Sequence, residues 1–306
     1  MHLSCLPPSS LMPELAEVEF FRKQWDVGRR QTIAAVHLHA TNRVFRSINP
    51  EILRQALTGA RLLHSQARGK QMLFRFSNNA WVGIHLGMTG KLRAVLSGPV
   101  PFTPARHDHL VLRLSKGSLV FSDPRQFGRV LFHRGRAAPP WWRGLPPALL
   151  AREFSLPVME AFLSRHRAAP VKAVLLLQAG FPGIGNWMAD EVLWQAGLHP
   201  RRPAGKLRPA ETKKLHRAVK SVSRAAMRTV GVDYGELPRT WLFHRRWQRG
   251  GRCPKDGAAL RYAAIGGRAA CWCPKCQKEG PNVADVRAKR AYAVALKKPC
   301  DNPGNP

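Results

Sequence analysis

The period of the hydrophobic pattern changes once along this chain, and that change limits what the chain can fold into. From Gln71 to Arg134 apolar residues come in short runs, "MLFRF", "AWVGIHL", "LVLRL", "LVFSD" and "RVLFHR", separated by Asn, Gly, Pro and Ser. Short apolar runs punctuated by turn residues read as strands, and several in succession predict a β-sandwich or barrel. Pro and Gly collect in "RAAPPWWRGLPP", residues 136–147, where a domain linker is expected. Beyond it the spacing turns helical, through "LPVMEAFLSRH", "APVKAVLLLQAG", "NWMADEVLWQAGLHP" and "PAETKKLHRAVKSVSRAAMRTV". Ahead of the strands, Glu14 to Asp26 is also helical in spacing, with Leu15, Val18, Phe21 and Trp25 as its apolar positions. One helix, a set of strands, then a set of helices make an α+β chain, and 306 residues suffice for two domains.

Charge says what such a chain meets. Lys and Arg number 50 against 18 Asp and Glu, a formal net charge of +32. The excess is spread along the sequence and not confined to one amphipathic helix, so DNA or RNA is a better partner than a membrane surface. No apolar run is long enough to span a bilayer. Residues 1–11, "MHLSCLPPSSL", lack the basic and unbroken apolar regions of a secretory signal, so an intracellular place in the cytoplasm or nucleoid is expected. The last segment, 278–306, is basic and without clear periodicity, and reads as a flexible or partly helical tail.

Of six cysteines, Cys253, Cys271, Cys273 and Cys276 cluster, while Cys5 and Cys300 lie near the ends. Clustering of this kind outside an oxidising compartment points to metal before disulfide. The C-x2-C spacing of Cys273 and Cys276 lets two thiolates reach one tetrahedral ion from a tight turn. Cys253 supplies a third, and Asp256 stands where a symmetric ribbon would place another cysteine. Three thiolates and a carboxylate can hold zinc, more weakly than four thiolates; Cys271 is the rival fourth ligand, although its position suits packing equally well. Between two of the helices, "AGFPGIGN" is a helix stop followed by a Gly-rich turn whose Asn186 could cap the next helix. Such turns present backbone N–H groups to phosphate, and many others exist for packing alone.

Taken together these motifs resemble one family. Pro13-Glu14-Leu15-Ala16-Glu17-Val18-Glu19 is similar to the PELPEVE start of formamidopyrimidine-DNA glycosylase. "HLGMTG" (85–90), "HDH" (107–109), "DPRQFG" (123–128), "GIGNWMADEVLWQAGLHP" (183–200) and the cysteine hairpin follow in that family's order, from about Pro13 to Gln277. Three departures stand out: Ala16 for the second proline, Gln126 for the second arginine, and Asp256 for a zinc cysteine. The resemblance implies an N-terminal β-sandwich with a catalytic helix over 13–140 and a helix–two-turn–helix domain over 150–247. A zinc β-hairpin over 248–277, holding one structural zinc, and the tail over 278–306 would follow. Residues 1–12 would be an upstream extension or a misplaced start, translation beginning at Met12 and removal of that methionine freeing Pro13. A monomer acting on damaged double-stranded DNA lying between the domains is expected.

The implied chemistry is that of a bifunctional glycosylase and abasic-site lyase for oxidised purines. Pro13 is the nucleophile, and only a chain terminus leaves a proline nitrogen with a lone pair to give; an α-amino group titrates near 7.7–8.0, far below lysine. Glu14 moves protons on and off the sugar ring oxygen, while Glu17 and Glu19 read as first-turn acids favoured by the helix dipole. Lys70 contacts the phosphate beside the lesion, and Arg268 grips the phosphates around the flipped nucleotide. Asn186 and Lys172 complete that clamp, with His107 and Arg167 as further DNA contacts. Met88, Arg125 and Phe127 match the trio that fills the space left by the extruded base, and place the chain nearer the formamidopyrimidine branch than the endonuclease VIII branch. The rivals are a glycosylase or lyase for oxidised pyrimidines or abasic sites, because "VDYGELPRTWLFHRRWQRGGR" leaves little room for the family's base-capping loop, and a non-catalytic nucleic-acid-binding protein on the same scaffold.

Overall fold

The computed structural model describes residues 12–98, 102–247 and 250–279; the expected upstream segment before Met12 and the tail beyond Glu279 lie outside them. The chain forms two compact units. One gathers the residues up to Leu149 together with Ser223–Glu236, and the other Leu150–Val222 with the residues from Leu237 onward.

The first unit runs α1 (Leu15–Lys23), β1 (Ala35–Leu38), α2 (Pro50–Leu57), β2 (Leu62–Arg68), β3 (Gln71–Phe76), β4 (Ala80–His85), β5 (Lys91–Leu96), β6 (Asp108–Leu114), β7 (Gly117–Ser122), β8 (Arg129–Arg134) and α3 (Pro140–Arg143). Two four-stranded antiparallel sheets result, ordered β1-β6-β7-β5 and β2-β3-β4-β8. Alternate residues supply one core: Met72, Phe74 and Phe76 from β3, Ala80, Val82 and Ile84 from β4, Leu110 and Leu112 from β6, Leu119 and Phe121 from β7. That period of two is the sandwich expected from the sequence. Each of the larger side chains contributes roughly 1.5–3 kcal/mol by leaving water.

The odd-numbered residues of β3 and β4 face the other way and are covered by the proline-rich stretch. Leu73 and Trp81 pack with Trp142, flanked by Ala138, Trp141 and Leu145. Gly83 leaves room for that cover, since a Cβ there would lie 2.4 Å from the Trp141 ring. Residues 138–145 are therefore a lid on the sheet. Arg22 fastens α1 to β2, pairing with Glu19 and Asp26 and donating to Ser65.

The second unit holds α4 (Leu156–Arg165), α5 (Val171–Leu175), α6 (Asn186–Ala196) and most of α7 (Pro209–Arg228). Phe181 between the helices meets Phe154 and Phe162 edge-on, with ring centroids 5.9 and 5.8 Å apart. After α7 the short α8 (Val230–Asp233) returns to the first unit and packs on α1, where Lys23 Nζ donates to Gly231 O at 2.7 Å. A two-stranded hairpin, β9 (Arg261–Ile265) and β10 (Arg268–Trp272), completes the second unit. No helix among the described residues is long and apolar enough to cross a membrane.

Candidate active site and metal centre

In the first unit, α1 begins at Leu15 with Glu14 as its N-cap, so Pro13 stands just outside the helix. Proline favours helices at the first helical position, and Pro13 is not there. Glu14 is only 2% exposed. Its backbone N–H donates to Glu17 Oε2 at 3.2 Å, one arm of a reciprocal capping box that closes the first turn. Glu19 is occupied by Arg22. Lys70, in the β2–β3 turn after Gly69 (φ +59°), reaches the same place: its Nζ lies 3.7 Å from Met12 Sδ. The structure thus places the Lys70 ammonium against Met12, the residue next to Pro13.

Two loops of this unit carry the expected void-filling trio. Met88 sits half-buried in the β4–β5 loop; Arg125 and Phe127 are exposed in the β7–β8 loop, with the Arg125 guanidinium 4.7 Å from the Phe127 ring centroid. Phe127 is 43% exposed, which is not how a core aromatic sits. The loops touch: Gly87 has φ +64°, and a Cβ on it would lie 2.5 Å from the backbone of Phe127 and Gly128. Burial pushes His85 down to about 4, so its neutral Nδ1 accepts from Gly87 N–H at 3.0 Å. Gln126, the departure from the family pattern, adopts φ +53° and accepts from Arg43 N–H at 3.0 Å. His107 is half-buried beside this loop, its carbonyl accepting from Asp123 N–H at 3.0 Å.

In the second unit, Asn186 does not cap α6 as its sequence position suggests. Gly185 is the N-cap, Asn186 is the first helical residue, and its buried Oδ1 has no hydrogen-bond partner among the described residues. Arg167 is exposed after α4. Arg268 is exposed too, presented by the turn Gly266-Gly267, whose φ values of +62° and +73° suit a two-residue hairpin. Gly266 also lets the turn lie on α5: a Cβ there would come within 2.7 Å of Ala173 Cβ.

Lys172 has a place different from the phosphate contact that the resemblance implies. It is 0% exposed, its Nζ paired with Asp190 Oδ1 and donating to Ala269 O at 2.9 Å. Asp190 Oδ2 in turn accepts from Arg246 Nε at 3.2 Å and from the N–H of Cys271, also at 3.2 Å. A lysine so enclosed fixes the Arg268 strand to α5 and α6, and in this arrangement cannot touch a phosphate. Neither Asp190 nor Arg246 stood out in the sequence. The one available signal was the acidic pair Asp190-Glu191 in the middle of an otherwise apolar helix.

The ligand atoms of Cys253, Asp256, Cys273 and Cys276 all lie within 4.8 Å of one another. Cys253 and Cys276 sulfurs are 3.7 Å apart, and Asp256 oxygens lie 3.1 Å from Cys276 Sγ and 3.3 Å from Cys273 Sγ. Tetrahedral zinc with Zn–S near 2.3 Å asks for S···S of about 3.8 Å and S···O of about 3.5 Å. The donor set fits such an ion. Hydrogen bonding, first from Cys276, holds the Asp256 carboxyl below its ordinary range, in the ionised form that a metal takes. Trp194 Nε1 and the Cys276 N–H donate to Cys253 and Cys273 sulfurs, each at 3.4 Å. Cys271 lies outside this cluster, and burial pushes its thiol up to about 12. It shares a core cluster with Trp194 and Leu242.

The sequence model of the formamidopyrimidine-DNA glycosylase N-terminal domain matches residues 12–130, and that of the formamidopyrimidine-DNA glycosylase H2TH domain matches residues 145–234. The chain belongs to the formamidopyrimidine-DNA glycosylase family. A formamidopyrimidine-DNA glycosylase of Stenotrophomonas maltophilia (strain K279a) is 36% identical over 281 residues, covering 87% of this chain and 100% of that protein. Among solved structures, a variant of the Lactococcus lactis glycosylase in complex with a Fapy-dG containing DNA aligns at a TM-score of 0.77 and 25% identity. The wild-type Lactococcus lactis protein with an oxidised-pyrimidine containing DNA aligns at 0.77 and 26%. Each covers 87% of this chain and 100% of its own. As a formamidopyrimidine-DNA glycosylase family member, the chain is a DNA glycosylase.

Proposed function

We propose that this glycosylase excises oxidised purines, formamidopyrimidines and 8-oxoguanine among them, from damaged duplex DNA inside the cell and then cleaves the strand as an abasic-site lyase. The observation that carries the reading is a buried Glu14 capping α1 directly after Pro13, with the Lys70 ammonium against the neighbouring Met12. As a free terminal amine, Pro13 attacks C1′ of the lesion nucleotide; the bond to the base breaks and the base leaves with its electron pair. The C1′–O4′ bond then opens, O4′ takes a proton held by Glu14, and the sugar remains joined to Pro13 as an iminium. That cation acidifies C2′, so loss of a C2′ proton expels the 3′ phosphate, and a second elimination expels the 5′ phosphate. Lys70 neutralises phosphate charge beside the lesion.

In the second unit Arg268, Arg167 and Asn186 take phosphates, the first from a rigid hairpin tip and the last from the start of α6. When bound, zinc would be held by Cys253, Asp256, Cys273 and Cys276 and would supply structure only, fixing the base of that hairpin.

The test is single-turnover strand cleavage on matched duplexes carrying 8-oxoguanine, a formamidopyrimidine, dihydrouracil or a preformed abasic site. Cleavage of the purine lesions well ahead of dihydrouracil is expected. Preference for dihydrouracil would move the chain to the oxidised-pyrimidine reading, and cleavage of the abasic duplex alone would leave only the lyase.

A further inference from the structure

Asp123 lies in "DPRQFG" but belongs to none of the groups that touch DNA in the reading above. It is 0% exposed, at the end of β7 and the root of the loop that carries Arg125 and Phe127. Its two carboxylate oxygens serve different loops. Oδ1 accepts from Thr89 Oγ1 at 2.6 Å, next to Met88, and Oδ2 accepts from Gly128 N–H at 2.7 Å, next to Phe127. Its backbone is held as firmly: the carbonyl accepts from His109 Nε2 at 2.8 Å and from Gln126 N–H at 3.2 Å. The other ring nitrogen of His109, Nδ1, lies 2.7 Å from Asn42 Nδ2, so with Nε2 donating to Asp123, Nδ1 accepts from the amide. Burial lowers the His109 pKa and favours this neutral ring. From the adjoining turn, Arg46 Nη1 donates to Gly128 O at 2.7 Å.

We infer that Asp123 is a positioning residue for base extrusion, joining the Met88 loop to the Arg125–Phe127 loop through Thr89 and Gly128 so that the three side chains enter the duplex as one rigid wedge. The inference rests on the wedge reading of Met88 and Phe127. A buried carboxylate with each oxygen on a different loop fixes the distance between those loops in a way that apolar contact alone does not. Glycine at 87 and 128 serves the same end: a Cβ on Gly87 would collide with Phe127 backbone, and one on Gly128 would lie 2.9 Å from Asp123 Oδ2. Unstacking a base requires an ordered wedge, whereas a preformed abasic site has no base left to extrude.

Thr89→Val removes one hydroxyl from the tie at almost constant shape, and Thr89→Ser returns it. Thr89→Val should slow single-turnover excision of 8-oxoguanine about tenfold, the worth of one hydrogen bond to a charged group. Strand cleavage at a preformed abasic site should stay unchanged, and Thr89→Ser should restore excision. Asp123→Asn should show the same selective loss, larger in size, and if that variant does not fold, the Thr89 pair still decides. Met88→Ala and Phe127→Ala run beside them. If those two lose excision selectively while Thr89→Val loses nothing, or loses both activities equally, the wedge stands and the role of Asp123 is overturned. If Met88→Ala and Phe127→Ala are themselves silent on both substrates, the wedge reading falls and this inference with it.

Discussion

Glu14 does two things from one position. It caps α1 through the box it shares with Glu17, and the same cap pins its side chain beside Pro13 in a buried place. The first-turn dipole explains Glu17 and Glu19 and fits Glu14 poorly; in the structure Glu17 joins the capping box and Glu19 is salt-bridged to Arg22. Glu14→Gln keeps a cap-forming oxygen, so folding and affinity for an abasic duplex should be retained while base excision falls about 10²-fold or more, the usual worth of a placed acid or base. Gel-shift titration beside single-turnover cleavage separates the two; equal losses would make Glu14 structural only. The group that could hold a metal, Cys253, Asp256, Cys273 and Cys276, was legible residue by residue. Lys172 was not, because whether a lysine meets phosphate or a buried Asp190 depends on burial, and no local pattern in "APVKAVLLLQAG" encodes it. Asn186 shows a smaller version of the same gap: its helix starts one residue earlier than the side chain's capping ability suggests.

At the scale of elements, the hairpin β9–β10 is held at both ends by unlike means. The Arg268 end rests on α5 through Gly266 and the Lys172–Asp190–Arg246 network, and the far end closes on the cysteine cluster. Lys172→Met leaves Asp190 paired with Arg246 but removes the Lys172 hydrogen bonds to Asp190 and Ala269 O, so it should cost about 1.5–3 kcal/mol of stability. Arg268→Ala should cost little stability and mainly affinity; calorimetry and DNA titration on both variants check this, and the reverse pattern would return Lys172 to the phosphate clamp. At the metal end, Asp256→Cys should slow zinc loss to a chelator and Cys271→Ser should leave it unchanged, read as released metal against time. Faster loss from Cys271→Ser than from the unaltered protein would make Cys271 a ligand. Strands β3, β4, β6, β7 and β8 were legible because alternate core residues repeat within each run. β1, β2 and β5 were not singled out: β1 is four residues long, and β2 and β5 mix charged residues into their runs. The tryptophan-bearing stretch 138–145 read as linker from its prolines, yet Trp141 and Trp142 have the outer face of β3 and β4 to cover.

For the molecule as a whole, a net charge of +32 makes binding to DNA dependent on salt, and the slope reports which cations take part. Neutralising Arg268 or Arg167 should lower the slope of log affinity against log salt by roughly one counterion each on any duplex. Lys172→Met should leave the slope as it is, because a fully buried ammonium meets no phosphate. Charge sets affinity in this account, and chemistry is left to a single amine. The most direct measurement of that claim is borohydride trapping on an abasic duplex, followed by peptide mass analysis of the cross-linked protein. The sugar adduct should lie on the nitrogen of Pro13 as the first residue of the chain, and no adduct should form when any residue is left in front of Pro13. An adduct on a lysine, Lys70 included, or trapping undiminished with Pro13 still inside the chain, would contradict it.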